Sequence, residues 1–569
     1  MRQRQRGAQW YNSAMIAYDP TNPLIVQADR TLLLDTRHPR AAEARAAIAP
    51  FAELEKSPAA MHTYRVTPLS LWSAAAAGLA ADTIVARIAS FARNPLPPEL
   101  AAELRELAGR WGRLQLVGHP EALWLTADSP ALLEALLTDP SITQLLAPGG
   151  SPGEPLAVAP AARGPLKQAL AALGWPVEDL AGYAEGEAFA IGLREQTTQV
   201  RDYQRAAAAA FYEAGTARGG SGVVVLPPGA GKTLVGLVAI ALVGQSTLVL
   251  TTNRTSVNQW RREILARTDA RPEQVAEYTG AHKGIAPITI ATYQMLTYRP
   301  GGGAGFPHLR LFDARAWGLV IYDEVHALPA PVFRATAAIQ ARRRLGLTAT
   351  LVREDGREAD VFSLIGPKKY ELPWRELERR GWIAPATCVE VRVALPNAER
   401  LAYATAEPRD MYRIAAENPR KLALLHTIMR RHPGAPTLVI GQYLAQLRAV
   451  ATSLGAPLVS GSMPQPARDQ LFEAFRRGEL PALVISKVGN FALDLPDAEL
   501  LIQVSGTFGS RQEEAQRLGR VLRPKPGGRA AYFYTLVSRD TREIDFAHNR
   551  QLFLAEQGYD YQIADADSL

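Results

Sequence analysis

The chain has 569 residues, of which 47% are hydrophobic and 21% charged, and its net charge is +7. This composition is typical of a globular protein with about three to five domains that can each bury a core. A single cysteine, Cys388, excludes an intrachain disulfide and a cysteine-based zinc site, and a modest basic excess fits a polyanionic partner.

The N-terminus argues against export or membrane insertion. Its first residues, MRQRQRG, are basic, but no apolar run follows before Asp19 and Pro20, as a signal peptide would require. No apolar run approaches the roughly 20 residues needed to span a bilayer. We therefore expect a cytoplasmic protein with no membrane partner.

Residues 21–128, after a predicted tail at 1–20, suggest a helical domain similar to a winged helix. Thr67 can cap a first helix, Asp82 a second, and Pro97 or Pro98 can open a third, before two strands in RLQLVGHPEALWLTAD. A third helix that faced phosphates should be basic, yet this one carries several acids: Glu99, Glu103 and Glu106. We therefore favour a packing or protein-docking module over duplex binding.

The remaining chain predicts an α/β protein. A Pro/Gly-rich stretch at about 145–165 indicates loops around a small αβ domain, 129–192. Beyond it, apolar strand-like runs alternate with amphipathic helices, which predicts two doubly wound parallel sheets, in domains 193–372 and 373–545, before a C-terminal tail, 546–569. The strand-like runs are GVVVL, TLVLT, ITIAT, GLVIYDE, RLGLTA, TLVIG, ALVISK and LLIQVS.

A phosphate-binding loop is the strongest local signal. The segment VVVLPPGAGKTLVGLVAIAL, 223–242, has the strand–loop–helix order of a P-loop, although Leu226 stands where the strict pattern has glycine. Glycines let backbone N–H groups surround phosphate oxygens, lysine supplies a charge for the β- and γ-phosphates, and threonine supplies a hydroxyl for Mg²⁺. The predicted nucleotide-binding residues are Pro228, Gly229, Ala230, Gly231, Lys232 and Thr233.

Two further elements complete a hydrolytic site. GLVIYDEVH, 318–326, ends an apolar strand with Asp323, which would hold Mg²⁺, and Glu324, which would orient and deprotonate the attacking water. Further along, Arg520 and Arg523 lie at i and i+3 in QRLGRVLRPK, so that on a helix both guanidiniums could reach a γ-phosphate from one face.

Together these motifs resemble the superfamily 2 helicases, and most closely the XPB branch. The resemblance rests on DEVH at 323–326, GLTATLVRED at 346–355, SLIGPKKYELPWRELERRGWIAPA at 363–386, ISKVGNFALDLPDAELLIQVS at 485–505 and SRQEEAQRLGRVLRPK at 510–525, together with RDYQ, TTNRTSVNQW and IATYQML. It is dense over 195–545, and it implies two RecA-like motor domains after a mixed α+β N-terminal region.

The resemblance also implies residue roles. Gln204 would lie near adenine, Asp494 would contact ribose although it stands five residues after Gly489 rather than two, and the element Arg353-Glu354-Asp355 would open the duplex. Segment 130–190 resembles a damage-recognition domain, and a thumb is expected near 396–420. The implied strand contacts are Thr252, Thr292 and Ser486, and the implied coupling residues are His326, Thr348 and Gln516.

The function implied is an ATP- and Mg²⁺-dependent 3′–5′ helicase or translocase that acts on single-stranded or forked DNA, in nucleotide excision repair. One alternative is a motor that remodels RNA or pumps duplex DNA without separating its strands. Another is a nucleotide-driven switch that anchors a repair partner such as a nuclease. We expect a monomer, because the motor needs only its own two lobes.

Overall fold

The computed structural model describes residues 18–57, 60–147, 153–196, 198–227, 229–299, 306–340, 342–349, 358–382, 384–486, 498–506, 530–556 and 561–569. The chain divides into two compact units, Met1–Trp111 and Gly112–Leu569. Each unit is built around sheets whose buried strands carry the apolar runs of the sequence.

The N-terminal unit combines a four-stranded antiparallel sheet, in the order β1-β2-β4-β3, with helices. Its helices begin where the sequence predicts: Thr67 caps α2 through the Ser70 N–H, and Pro98 opens α4. The exception is Asp82, which was predicted to cap the second helix but does not. Helix α3 begins one residue earlier, so Asp82 lies in its first turn, where it pairs with Arg105. The elements are β1 (Leu24–Val26), β2 (Thr31–Asp35), α1 (Ala41–Ile48), β3 (Glu53–Lys56), β4 (Met61–Arg65), α2 (Pro68–Ala76), α3 (Ala81–Phe91) and α4 (Pro98–Gly109).

The second unit begins with a small mixed sheet in the order β7-β6-β5-β8. The hairpin β5–β6 pairs antiparallel with β7 and parallel with β8, and its apolar face packs with α5 and α7. The structure thus places the hairpin in this domain and not with α2–α4, so the boundary lies near 111/112 rather than at the predicted 128/129. The elements are β5 (Leu114–His119), β6 (Ala122–Ala127), α5 (Pro130–Leu136), α6 (Pro140–Thr143), β7 (Leu156–Val158), α7 (Arg163–Ala172) and β8 (Val177–Asp179).

A buried ionic cluster lies where this small domain meets the next one. Arg163 and Lys167 on α7 both donate to the Asp179 carboxylate, at 2.6 and 2.9 Å. Gly164 of α7 lies so close to the backbone of Ala337 that an added Cβ would come within 2.4 Å of its carbonyl oxygen. Burial lowers the pKa of Lys167 to about 7, against the attraction of Asp179. The cluster therefore stays stable only as a paired set.

The first seven-stranded sheet is parallel throughout the described strands, in the order β11-β12-β10-β13-β14-β9-β15. Its central strands are covered on both faces, and this is why they read as unbroken apolar runs. The elements are α8 (Asp202–Tyr212), β9 (Ser221–Val225), α9 (Lys232–Val243), β10 (Thr247–Thr251), α10 (Arg254–Arg267), β11 (Val275–Tyr278), β12 (Ile288–Thr292), α11 (Tyr293–Leu296), β13 (Leu319–Asp323), α12 (Ala330–Ala338), β14 (Arg343–Thr348), α13 (Glu358–Leu364) and β15 (Lys368–Glu371).

The second seven-stranded sheet is also parallel over the described strands, in the order β18-β19-β17-β20-β21-β16-β22. Helices α15 and α16 occupy the region where a thumb was expected, 396–420. The elements are α14 (Trp374–Arg379), β16 (Ala386–Val393), α15 (Asn397–Thr405), α16 (Pro408–Ala416), α17 (Arg420–Arg431), β17 (Thr437–Ile440), α18 (Leu444–Leu454), β18 (Leu458–Val459), α19 (Gln465–Arg476), β19 (Ala482–Ile485), β20 (Leu500–Gln503), β21 (Ala531–Ser538), α20 (Glu543–Glu556) and β22 (Tyr561–Asp565).

The predicted α/β class with two tandem parallel sheets is confirmed. The last segment differs from the expected tail, because β22 pairs with β16 and forms an edge of the second sheet. At the start of the strand before the P-loop strand β9 in the sheet, Arg343 opens β14, and the buried Arg344 donates to the carbonyl oxygens of Leu364 and Gln340.

Short 3-10 turns join several elements: Pro160–Ala162, Glu213–Gly215, Pro272–Gln274, Pro307–Phe312, Val325–Ala327 and Ala566–Ser568. Within the described ranges, no single helix has the length and apolar content to cross a bilayer. The pair α2–α3, bent by 116°, reaches the required length and composition only when its two helices are taken together.

Candidate nucleotide site

The P-loop residues lie at the carboxyl end of β9, where the chain turns into α9. Gly229 and Gly231 both have positive φ, +82° and +79°, which side-chain-bearing residues rarely adopt. Helix α9 begins at Lys232, so its free N–H groups and positive dipole end face the loop. The local fold therefore provides an anion-binding cradle with Lys232 and Thr233 in its first turn.

The loop is braced from behind by α8. Tyr203 Oη and Gln204 Nε2 both donate to the Ala230 carbonyl, at 2.8 and 2.9 Å. A Cβ at Gly231 would lie 2.5 Å from Gln204 Nε2, so only glycine fits there. The other end of the Gln204 amide accepts from the Arg201 N–H at 2.9 Å. The amide oxygen and the amide nitrogen of Gln204 are thus both hydrogen-bonded to the backbone.

The two carboxylates lie at the carboxyl end of β13: Asp323 is its last residue and Glu324 follows it. In the sheet, β14 separates β13 from β9. Glu324 Oε1 lies 3.4 Å from Lys232 Nζ, and neither side chain is more than one-fifth exposed. Glu324 adopts a left-handed conformation, φ +51°, which turns its side chain away from the strand direction that Asp323 follows. The P-loop lysine and the candidate general base are therefore brought together, as the sequence predicts.

Asp323 is held by two aromatic residues. Trp260 of α10 donates its indole N–H to Asp323 Oδ2 at 2.8 Å, and Tyr293 Oη donates to the Asp323 carbonyl at 2.9 Å. Burial, together with the charge of Glu324, raises the pKa of Asp323 to about 6, against the lowering effects of Trp260 and Lys232. Trp260 and Lys232 only partly offset this burial, and a divalent cation would stabilise the charged carboxylate further.

The link from this strand to the next one runs through His326. Its Nδ1 lies 2.6 Å from Thr348 Oγ1, at the end of β14, and 3.6 Å from Glu324 Oε2. Both His326 and Thr348 are buried. A change at Glu324 can thus reach the segment that follows Thr348 through two contacts.

These residues fit ATP and Mg²⁺. Glu324 Oε2 is buried and accepts no hydrogen bond within the described part of the chain, so it can receive one from a water. Across the same described residues, no group of three His, Cys, Asp or Glu side chains could enclose a metal. Thr233 and Asp323 would supply the few protein ligands that Mg²⁺ takes, with phosphates and water as the others.

The candidate strand contacts occupy the same edge of the sheets. Thr292, at the end of β12, uses its hydroxyl to cap α11 by accepting from the Met295 N–H at 3.2 Å. Thr252 follows β10, beside β12, and its hydroxyl accepts from Asn253 Nδ2 at 3.1 Å. Ser486 follows β19 in the second sheet and is buried. By capping α11, Thr292 therefore fixes the backbone at the end of β12, a role that the motif alone does not indicate.

Several predicted residues lie outside the described ranges, and their placement stays a prediction: Pro228, Arg353, Glu354, Asp355, Asp494, Gln516, Arg520 and Arg523.

Four residues that contact the site were not predicted from the sequence: Trp260, Tyr203, Tyr293 and Arg201. Arg201 stacks on the ring of Trp382 at 4.4 Å, and so joins the loop brace to the segment between the two sheets. Each of these residues stands inside or beside a quoted motif, but its partner is distant in sequence.

Comparison with known proteins agrees with this geometry. Family models match residues 377–568 (ERCC3/RAD25/XPB C-terminal helicase), 197–353 (type III restriction enzyme, res subunit) and 24–148 (helicase conserved C-terminal domain). The chain is 56% identical over 548 residues to a DNA 3′-5′ helicase XPB of Kineococcus radiotolerans, covering 96% of this chain and 97% of that protein. It is 54% identical to the Mycobacterium tuberculosis protein of the same name, covering 96% and 98%. An XPB subunit of the general transcription and DNA repair factor IIH from Antonospora locustae is 34% identical, covering 96% and 82%.

Proposed function

The chain belongs to the XPB family of DNA 3′-5′ helicases, and from that premise we propose how its own residues drive an ATP-dependent motor in DNA repair. The observation that carries the proposal is the convergence of Lys232, Asp323 and Glu324 at the carboxyl edge of the sheet, where β14 separates β9 from β13. When bound, ATP with Mg²⁺ supplies the phosphoryl group whose transfer to water releases the free energy for movement.

Each residue has a distinct task in this proposal. Lys232 and the α9 N–H groups hold the phosphates, while Thr233 and Asp323 hold Mg²⁺. Glu324 holds the attacking water through Oε2, the buried oxygen without a hydrogen-bond donor in the described residues, and takes its proton. The 3.4 Å contact between Lys232 Nζ and Glu324 Oε1 holds the carboxylate in place until the phosphates compete for the lysine.

Movement along DNA requires that ATP hydrolysis change the positions of the strand-binding residues. The pair His326–Thr348 connects Glu324 to the segment 350–357, which holds Arg353, Glu354 and Asp355. We assign the coupling to this pair, with Gln516, and the closing of the cleft between lobes to Arg520 and Arg523. Thr252, Thr292 and Ser486 then grip the DNA backbone, which carries little sequence information.

Gln204 would contact adenine only after its amide leaves the Arg201 N–H or the Ala230 carbonyl. We propose that nucleotide binding makes this exchange, and that Asp494 contacts the ribose. Helices α15 and α16 are our candidate for the thumb, and the segment 130–190 is our candidate for the damage-recognition domain. The monomeric state, the cytoplasmic location and a nuclease partner stay predictions.

The test compares ATP hydrolysis and strand separation on forked duplexes with either a 3′ or a 5′ tail, with Glu324→Gln as the control. Separation only from the 3′ tail, lost in the variant, is the expected result. DNA-stimulated hydrolysis without separation would favour a duplex translocase or a switch that recruits partners. Stimulation by RNA alone would contradict the proposal.

A further inference from the structure

An exposed aromatic and basic surface lies beside the candidate strand contacts, at the carboxyl edge of the first sheet. We call it the Tyr298 surface and define it by Lys283, Tyr298, Arg299, His308 and Arg310. Strand β11 ends at Tyr278, which pairs with Ala291 immediately before Thr292. The loops that follow β11 and β12 therefore leave the sheet at the same edge as Thr252 and Thr292.

The aromatic part of the surface is built on a buried ring. Tyr278 is 5% exposed, and its hydroxyl lies 2.9 Å from His308 Nδ1. The His308 ring packs edge-on against Tyr278, with centroids 5.7 Å apart, and lies 6.2 Å from the ring of Tyr298. Tyr298 itself is 54% exposed. A supported aromatic ring with an open face is therefore available to a planar ligand.

Three exposed cations belong to the same surface: Lys283, Arg299 and Arg310. Lys283 lies 5.1 Å above the centre of Tyr278 and donates to the Thr279 carbonyl, while Arg299 stacks on Phe306 at 4.1 Å. Burial, and after it the charges of Lys283 and Arg310, lower the pKa of His308. None of the three cations forms an ion pair with any described residue, and the acid on the adjacent strand, Glu277, pairs with Arg261 instead.

We propose that the Tyr298 surface binds single-stranded DNA, with a base stacked on Tyr298 and phosphates held by Lys283, Arg299 and Arg310. Exposed aromatic rings among unpaired cations are the combination that single strands require, because every base has a stacking face and every nucleotide a phosphate. A closed duplex offers no free base face to Tyr298. The proposal rests on the proposed function and extends its strand path beyond Thr252 and Thr292 to residues outside the motifs.

The experiment measures binding of a fluorescein-labelled oligothymidylate to the full chain by anisotropy, over a series of salt concentrations. Tyr298→Ala should weaken binding by about fivefold or more, as loss of one base–aromatic stack does, and Tyr298→Phe should stay within about twofold. Arg299→Ala should lower the slope of log K against log salt by about 0.7, the value for one phosphate on a single strand.

Arg271→Ala is the matched control, since it removes another exposed arginine, which precedes β11 and pairs with Glu273. This variant should leave both affinity and slope unchanged. Thermal melting of each variant checks that the fold is kept. The surface has no role in strand binding if Tyr298→Ala binds oligothymidylate as tightly as Tyr298→Phe, or if it weakens only binding to blunt duplex. The proposed function itself fails if the unaltered chain shows neither DNA binding nor DNA-stimulated hydrolysis.

Discussion

The indole of Trp260 offers a way to test the metal role of Asp323 without touching a predicted ligand. Trp260 is 1% exposed and donates to Asp323 Oδ2 at 2.8 Å. Trp260→Phe keeps an aromatic ring in place but deletes the donor. A hydrogen bond to an ionised carboxylate contributes about 1.5–3 kcal/mol, and groups that orient a metal ligand typically change affinity by about 10- to 100-fold.

We therefore expect Trp260→Phe to raise the Mg²⁺ concentration for half-maximal ATP hydrolysis by about 10- to 100-fold. The assay titrates Mg²⁺ at saturating ATP and is paired with metal-free ADP binding, which should change little. Trp317→Phe is the matched control: Trp317 is buried in the same domain and donates at 2.8 Å to the Leu311 carbonyl, away from Asp323. Both variants lose a buried donor, so both should melt at lower temperature. An equal Mg²⁺ requirement in the two variants would refute the reasoning.

Three further substitutions have expected outcomes. Glu324→Gln should retain ATP binding but lose at least about 100-fold in turnover, measured by steady-state hydrolysis, because an amide cannot take the proton of the water. Asp179→Asn leaves two buried cations unpaired and should cost about 3–5 kcal/mol, seen as a clear fall in melting temperature. The control is Asp128→Asn, which breaks the exposed ion pair between Arg113 and Asp128 and should lower the free energy of unfolding by less than about 1 kcal/mol. Gly231→Ala should weaken nucleotide binding in a calorimetric titration, because residue 231 has a positive φ that disfavours a side chain and its Cβ would push the Gln204 amide away from the loop. Gly244→Ala, also at positive φ but in open space, should lower stability alone.

Much of the site could be predicted because its signals are local. A P-loop is defined by the order of strand, glycines, lysine and helix within 223–242, and the structure keeps that order. Its contact with Glu324, ninety-two residues from Lys232, could be expected because parallel strands present their carboxyl ends at one edge. The side chains that brace the site could not, because Trp260 and Tyr293 read as apolar core until their hydrogen-bond partners are known.

By itself, the sequence determined the motor: continuous apolar runs that only a sheet covered on both faces can bury, and motifs whose chemistry depends on neighbours in the chain. Tertiary structure alone decided which sheet each edge strand belongs to. The hairpin 114–127 joined β7 and β8, and β22 joined β16, since a short edge strand carries no local record of its partner. Likewise the strand-like run RLGLTA places Arg344 at the start of a strand but does not show that it is buried, because its acceptors, the carbonyl oxygens of Gln340 and Leu364, are brought together only by packing. Pairing and desolvation are properties of the assembled fold, and periodicity in the chain does not encode them.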